Sequence, residues 1–189
     1  MQVRERGVEG RALLELAEAV AGAARRAARR RGGAVRVVIN RRIDVALALD
    51  ADGAHLGFDA LDVARARDLL GPDRLIGVSA HTPDEALAAA RAGASYVQLA
   101  PVFAPLSKPA SRPPLGLAAV QAAAAAGVPL LAQGGMDAER AGAALAAGAA
   151  GVAVTGALLG AADPERAARG LRAALDQGGA PASIAGGRA

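Results

Sequence analysis

The sequence predicts an α/β protein of the TIM (β/α)8-barrel type that lacks the first strand and helix, with seven βα units visible. Three observations carry this: short runs apolar on both faces, alanine-rich segments of helical period between them, and a recurrent Ala-Gly-Ala phrase at helix-to-strand junctions. Strands buried on both faces belong to parallel sheets, whose crossovers are helices that cover the sheet.

In chain order the strands are expected at Gln2 to Arg4, Val35 to Asn40, Gly53 to Leu56, Leu75 to Ser79, Tyr96 to Leu99, Pro129 to Gln133 and Gly151 to Thr155. Thr82-Pro-Asp-Glu supplies an N-cap, a proline at the first helical position and acidic residues in the first turn, so a helix opens there and runs to Ala92. Asp163-Pro-Glu opens the last helix in the same way. The phrases Ala51-Asp-Gly-Ala-His-Leu, Ala92-Gly-Ala-Ser-Tyr-Val and Ala147-Gly-Ala-Ala-Gly-Val each read as a helix stop followed by a buried strand. Residues 1–176 are expected to form a single barrel domain, and the Gly/Ala-rich 177–189 a disordered tail. With 189 residues, the chain falls one βα unit short of closure. Either the recorded start is late, or the opening is covered by the N-terminal segment or a partner chain, which leaves a homodimer open. An open doubly wound sheet would place its glycine-rich phosphate turn after the first strand, whereas the best glycine turn here, Gly134-Gly135, follows a late one.

Composition narrows the chemistry. Hydrophobic residues make up 53% of the chain and aromatics only 2%, so the core must be aliphatic, and nearly three residues in ten are alanine. The absence of Cys removes thiolate catalysis, Cys-ligated zinc and disulfides. The pI near 10.8 reflects arginine chemistry, because the net charge is only +4 and Lys108 is the sole lysine. The basic run Arg25 to Arg31 lies at a helix end, where cations complement the dipole, and has no aromatic neighbours for base stacking. Neither a nucleic-acid partner nor a membrane partner is expected, since no apolar run approaches the length of a span; the protein is read as cytoplasmic.

Function in such barrels concentrates at the C-terminal ends of the strands. There the chain carries Gln2, Arg4 and Arg6; Asn40, Arg41 and Arg42; His55, Phe58 and Asp59; Ser79, His81 and Thr82; Ser107 and Lys108; Gly134 and Gly135; and Thr155 and Gly156. The last two pairs follow the last two strands and precede helices, which makes them a candidate phosphate site. Pro101 to Gly116 is the longest irregular stretch, and its Ser107, Lys108 and Arg112 can meet an anion. The early arginines indicate a second anionic group, and hence small phosphorylated substrates. His55 and His81 are acid–base candidates for which a structural role is the favoured reading.

Taken together, Gln2-Val-Arg-Glu-Arg6, Ile39-Asn-Arg-Arg-Ile-Asp-Val-Ala, Gly53-Ala-His-Leu-Gly57, Gly77-Val-Ser-Ala-His-Thr82, Pro101-Val-Phe, Ser107-Lys-Pro, Pro114-Leu-Gly-Leu, Gly134-Gly-Met and Gly151-Val-Ala-Val resemble the thiamine phosphate synthase and thiazole tautomerase family. The resemblance implies condensation of hydroxymethylpyrimidine diphosphate with thiazole phosphate, giving thiamine phosphate and diphosphate. It implies that Gln2, Arg4, Arg6, Asn40, Ser79 and Lys108 meet the pyrimidine diphosphate, with Arg6, Ser79 and Lys108 taken as catalytic and Arg41 added as a substrate-binding residue. Ser107, Gly134, Gly135, Thr155 and Gly156 are implied to hold the thiazole phosphate. Magnesium is expected from the family, but its two Asp positions carry Arg41 and Ala60 here, so no metal ligand is assigned. The catalytic His of the tautomerase branch is replaced at Ala100-Pro101. A tautomerase-like enzyme and a non-catalytic phosphate-binding barrel therefore stand beside the synthase reading.

Overall fold

The computed structural model describes residues 1–5, 7–8, 10–104 and 112–177. Its sheet contains β1 (Gln2–Val3), β2 (Val38–Asn40), β3 (Gly53–Leu56), β4 (Leu75–Ala80), β5 (Tyr96–Leu99), β6 (Leu130–Gln133) and β7 (Gly151–Ala153), ordered as in the sequence. The pairs β1–β2, β2–β3, β5–β6 and β6–β7 are parallel. Seven strands in sequential order, with helices between them, are what successive βα units of a barrel-type fold produce.

The second strand begins later than its apolar run suggests. The Val37 amide donates to the Asp52 carboxylate at 2.8 Å instead of to a strand carbonyl, and β2 starts at Val38. The last strand stops at Ala153 because Thr155 is already the N-cap of the next helix.

Two compact units divide the chain, Met1–Gly77 and, among the described residues, 78–177. In the first, helices α1 (Gly10–Arg30), α2 (Ile43–Ala48) and α3 (Val63–Leu70) accompany the early strands. Helix α1 buries Leu13, Ala17 and Ala21, a stripe spaced by four residues that lies on one face. Ile39, Ala54, Leu56, Leu70 and Ile76 fill the aliphatic core. Arg25 of the basic run pairs with Asp52 at 3.1 Å, so part of that run serves the fold.

The second unit contains α4 (Pro83–Arg91), α5 (Gly116–Ala124), α6 (Ala138–Ala146), α7 (Gly156–Leu159) and α8 (Pro164–Gln177). Thr82 Oγ1 accepts from the Glu85 amide at 3.1 Å and Asp163 Oδ1 from the Arg166 amide at 2.9 Å, the caps expected from those sequences. Val97, Leu99, Val102, Val120 and Leu130 form its core with small alanines packed between them. Gln177 ends α8, and the rest of the expected tail lies outside the described residues.

The three similar junction phrases prove unequal. Gly93 (φ 90°) and Gly148 (φ 100°) terminate their helices in the left-handed region. At the first phrase Asp50 (φ 45°) takes that role, and Gly53 is already inside β3. A Cβ on Gly53 would lie 2.0 Å from the Leu75 carbonyl oxygen, so glycine is required there by the approach of β4.

Candidate functional site

In the first unit, register places polar residues side by side at the strand ends. Val3 lies opposite Ile39, and Asn40 lies opposite His55. The Gln2 side-chain amide donates to Asn40 Oδ1 at 3.0 Å, so two of the predicted substrate contacts meet directly. Each amide retains further donors and acceptors for a heterocycle or a phosphate oxygen. Arg4 follows β1 and is exposed.

His55 is 1% exposed, and burial, followed by repulsion from the Arg4 guanidinium, lowers its pKa to about 4. It is therefore neutral at physiological pH and contributes no cation to the site. Its carbonyl accepts from the Arg41 amide at 2.8 Å, which ties the turn after β2 to β3.

Arg41 occupies the left-handed region at φ 64°, and its guanidinium meets Asp59 at 2.8 Å. Arg42 donates to both oxygens of Asp44 at 2.8 and 2.6 Å, and these hydrogen bonds hold the Asp44 carboxyl below its ordinary pKa. Arg42 is thus internally compensated at the start of α2. Magnesium needs carboxylate or other hard oxygen donors. The donor set does not fit it: Arg41 and Ala60 stand at the implied positions, and Asp59 is already paired with a guanidinium. Among the described residues no group of three His, Asp or Glu side chains could hold a metal ion.

In the second unit Ser79 stands half-buried near the end of β4, one residue before Ala80. His81 Nδ1 lies 2.6 Å from the Ala100 carbonyl, so that nitrogen carries a proton and donates. The His81 amide donates to Glu85 Oε2 at 2.6 Å. The first bond ties the imidazole to the end of β5, and the second ties the backbone to the first turn of α4.

The Gly134-Gly135 turn joins β6 to α6 with φ of 99° and 59°. A Cβ on Gly134 would lie 2.9 Å from Pro101 Cα, and one on Gly135 only 2.2 Å from the Ala104 carbonyl oxygen. The Val102 amide donates to the Gln133 carbonyl at 2.7 Å and the Phe103 amide to the Gly134 carbonyl at 3.2 Å. The close approach of the segment after β5 therefore accounts for both glycines by packing, independently of a ligand. Amides of Leu115 and Gly116 return to the carbonyls of Pro101 and Val102, closing the long irregular stretch at its base.

Arg140 gave no signal in the sequence yet organises this turn. Its guanidinium donates to the Gly135 carbonyl at 2.8 Å, lies 3.7 Å from Asp137 and stands 5.2 Å from the Phe103 ring centre. Its link to Phe103 depends on tertiary folding.

Thr155 is exposed, and its carbonyl accepts from the amides of Leu158 and Leu159 at 3.1 and 2.9 Å. Gly156 opens the single-turn helix α7. Arg6, Ser107 and Lys108 lie outside the described residues.

A family model described as thiamine monophosphate synthase matches residues 1–158. Thiamine-phosphate synthase of Chlorobium luteolum is 46% identical over 177 residues, covering 93% of this chain and 81% of the relative. Thiamine-phosphate synthase of Roseiflexus castenholzii is 42% identical over 172 residues, covering 90% and 73%. Among solved structures, thiamine phosphate pyrophosphorylase from Pyrococcus furiosus superposes with a TM-score of 0.81 at 29% identity, covering 94% of this chain and 82% of that one. A 3-hexulose-6-phosphate synthase superposes with a TM-score of 0.62 at 25% identity, covering 86% and 80%.

Proposed function

This chain belongs to the thiamine monophosphate synthase family, and from that premise we propose that it condenses hydroxymethylpyrimidine diphosphate with thiazole phosphate. The observation that carries the reading is 46% identity to a thiamine-phosphate synthase over 93% of the chain, together with a family model that matches residues 1–158. In the proposed reaction the bond between the pyrimidine methylene carbon and the diphosphate oxygen breaks, and diphosphate leaves with the electron pair. The thiazole nitrogen then donates its lone pair to that carbon. Catalysis of such a step rests on donors and cations aimed at the departing anion.

Gln2 and Asn40 are assigned to the pyrimidine, which their amide pairing supports. Arg4, Arg6, Arg41, Ser79 and Lys108 are assigned to the diphosphate. Ser107, Gly134, Gly135, Thr155 and Gly156 are assigned to the thiazole phosphate, with Arg140 holding the glycine turn in place. The whole is proposed to act as one barrel domain over residues 1–176, in the cytoplasm and on small phosphorylated substrates. No helix among the described residues is long and apolar enough to cross a membrane.

The test is formation of thiamine phosphate from the two substrates, with added magnesium and with chelator. Product in either condition supports the reading. No product in both, with thiazole phosphate still bound, would favour a non-catalytic barrel, a second reading suggested by the replaced carboxylates at positions 41 and 60. As an expected result, Arg140→Leu weakens thiazole phosphate binding about fivefold, because one hydrogen bond to the turn contributes about 1 kcal/mol. Titration of the variant by calorimetry checks this, and an unchanged affinity would remove Arg140 from the site.

A further inference from the structure

Where the family implies a cation anchored by carboxylates, this chain has built an ion pair. Arg41 stands immediately after β2 in a backbone conformation that bulky side chains rarely adopt. It is held there by its amide, which donates to the His55 carbonyl, and by its carbonyl, which accepts from the Ile43 amide at 3.1 Å. The side chain passes over Gly57, where an added Cβ would be 3.9 Å from both Arg41 Cγ and Asp59 Oδ1. Beyond Gly57 the guanidinium reaches Asp59 at 2.8 Å, with side-chain exposures of 49% and 60%.

An ion pair this exposed is weak and readily exchanged. A diphosphate presents more negative charge than one carboxylate and accepts the guanidinium fork on two oxygens. The surroundings favour that exchange. Arg4 carries a second positive charge near His55, His55 is neutral, and Arg42 and Asp44 cancel each other. A divalent cation placed beside Arg41 would meet repulsion from its guanidinium and one carboxylate that already has a partner.

Resting on the synthase reading, we propose that this chain binds the diphosphate of its pyrimidine substrate without a divalent cation, Arg41 supplying the positive charge and Asp59 serving as the counter-ion that diphosphate displaces. The fit is with an anion that carries adjacent phosphoryl groups. Loss of the carboxylates at positions 41 and 60 then marks a change in how the leaving group is neutralised.

Titration of the full chain with inorganic pyrophosphate, in chelator and in magnesium, tests this by calorimetry. The expected affinity changes by no more than about twofold between the two conditions, and Arg41→Gly lowers it about tenfold or more, as loss of a charged contact to phosphate should. Glycine suits φ 64°, so this variant keeps the fold, and an unaltered melting temperature verifies that. Asp59→Asn is expected to tighten binding about threefold by removing the competing carboxylate. The double variant Arg41→Asp/Ala60→Asp is expected to bind pyrophosphate only when magnesium is present. Binding by the parent protein that requires magnesium, or an Arg41→Gly protein with unchanged affinity, overturns the proposal. The condensation assay separates this outcome from the function itself: thiamine phosphate formed with a magnesium requirement overturns the proposal alone. Metal-free pyrophosphate binding through Arg41 supports the anion site even where no thiamine phosphate forms, a result that would overturn the synthase reading instead.

Discussion

Gly135→Ala is expected to lower the melting temperature by on the order of 10 °C and to abolish thiazole phosphate capture. The added Cβ would lie 2.2 Å from the Ala104 carbonyl oxygen and 2.9 Å from Phe103 Cβ, at a backbone φ of +59°. The first obstacle is backbone, so a rotamer change cannot clear it. Overpacking together with a left-handed conformation that alanine resists adds to about 3 kcal/mol. Whatever relieves the overlap must separate the segment after β5 from the turn after β6, and so also moves the amides assigned to phosphate. Gly142→Ala in α6 is the control, because a Cβ there meets nothing within 4 Å and no left-handed φ is involved. It is expected to leave stability unchanged or raise it by about 0.5–1 kcal/mol. Thermal melts of the two variants beside the parent decide the matter. A Gly135→Ala protein that melts with the parent and retains its phosphate affinity would show that the 101–104 segment yields without strain.

Stability is expected to fall by on the order of 3 kcal/mol as pH drops from about 7 to about 4, through His55. In the unfolded chain this imidazole takes up a proton near its ordinary value of 6.5, whereas burial and then Arg4 hold the folded value at about 4. Between those two values the unfolded state binds more protons, so folding free energy is lost as pH decreases. The contribution is complete above pH 6.5 and gone below the folded value. Urea unfolding of the parent and of His55→Gln at several pH values between these limits measures it. The parent should lose stability over that window more steeply than the variant, and parallel curves would refute the assignment to His55.

The strand-and-helix order was readable because its signals are local. Apolar runs buried on both faces, Thr82-Pro83 and Asp163-Pro164 act within a few residues, and β3, β5 and the cap of α4 fall where those signals put them. The strand ends were less legible. Val37 is as apolar as Val38, yet only contact with Asp52, fifteen residues away, shows that its amide turns to a side-chain carboxylate. The glycines of the three junction phrases likewise read alike but differ, because the close approach of Leu75 to Gly53 involves a strand more than twenty residues later.

For the site, the residue types at the strand ends follow from the sequence alone, since a parallel βα repeat sends every such position to one end of the sheet. That Arg41 and Ala60 stand where the family carries two carboxylates comes from the resemblance of the motifs around them. Folding decided which of these residues have partners. Gln2 meets Asn40, Arg41 meets Asp59, His81 is tied to Ala100, and Arg140 supports the glycine turn. Hydrogen bonds and ion pairs act over about 3 Å, whereas the partners of Gln2 and His81 stand 38 and 19 residues away in the chain, so no local window of sequence contains the information. Composition and period specified the scaffold and the charges at its mouth; only the folded chain determined which charges are paired and which glycines another segment's backbone requires.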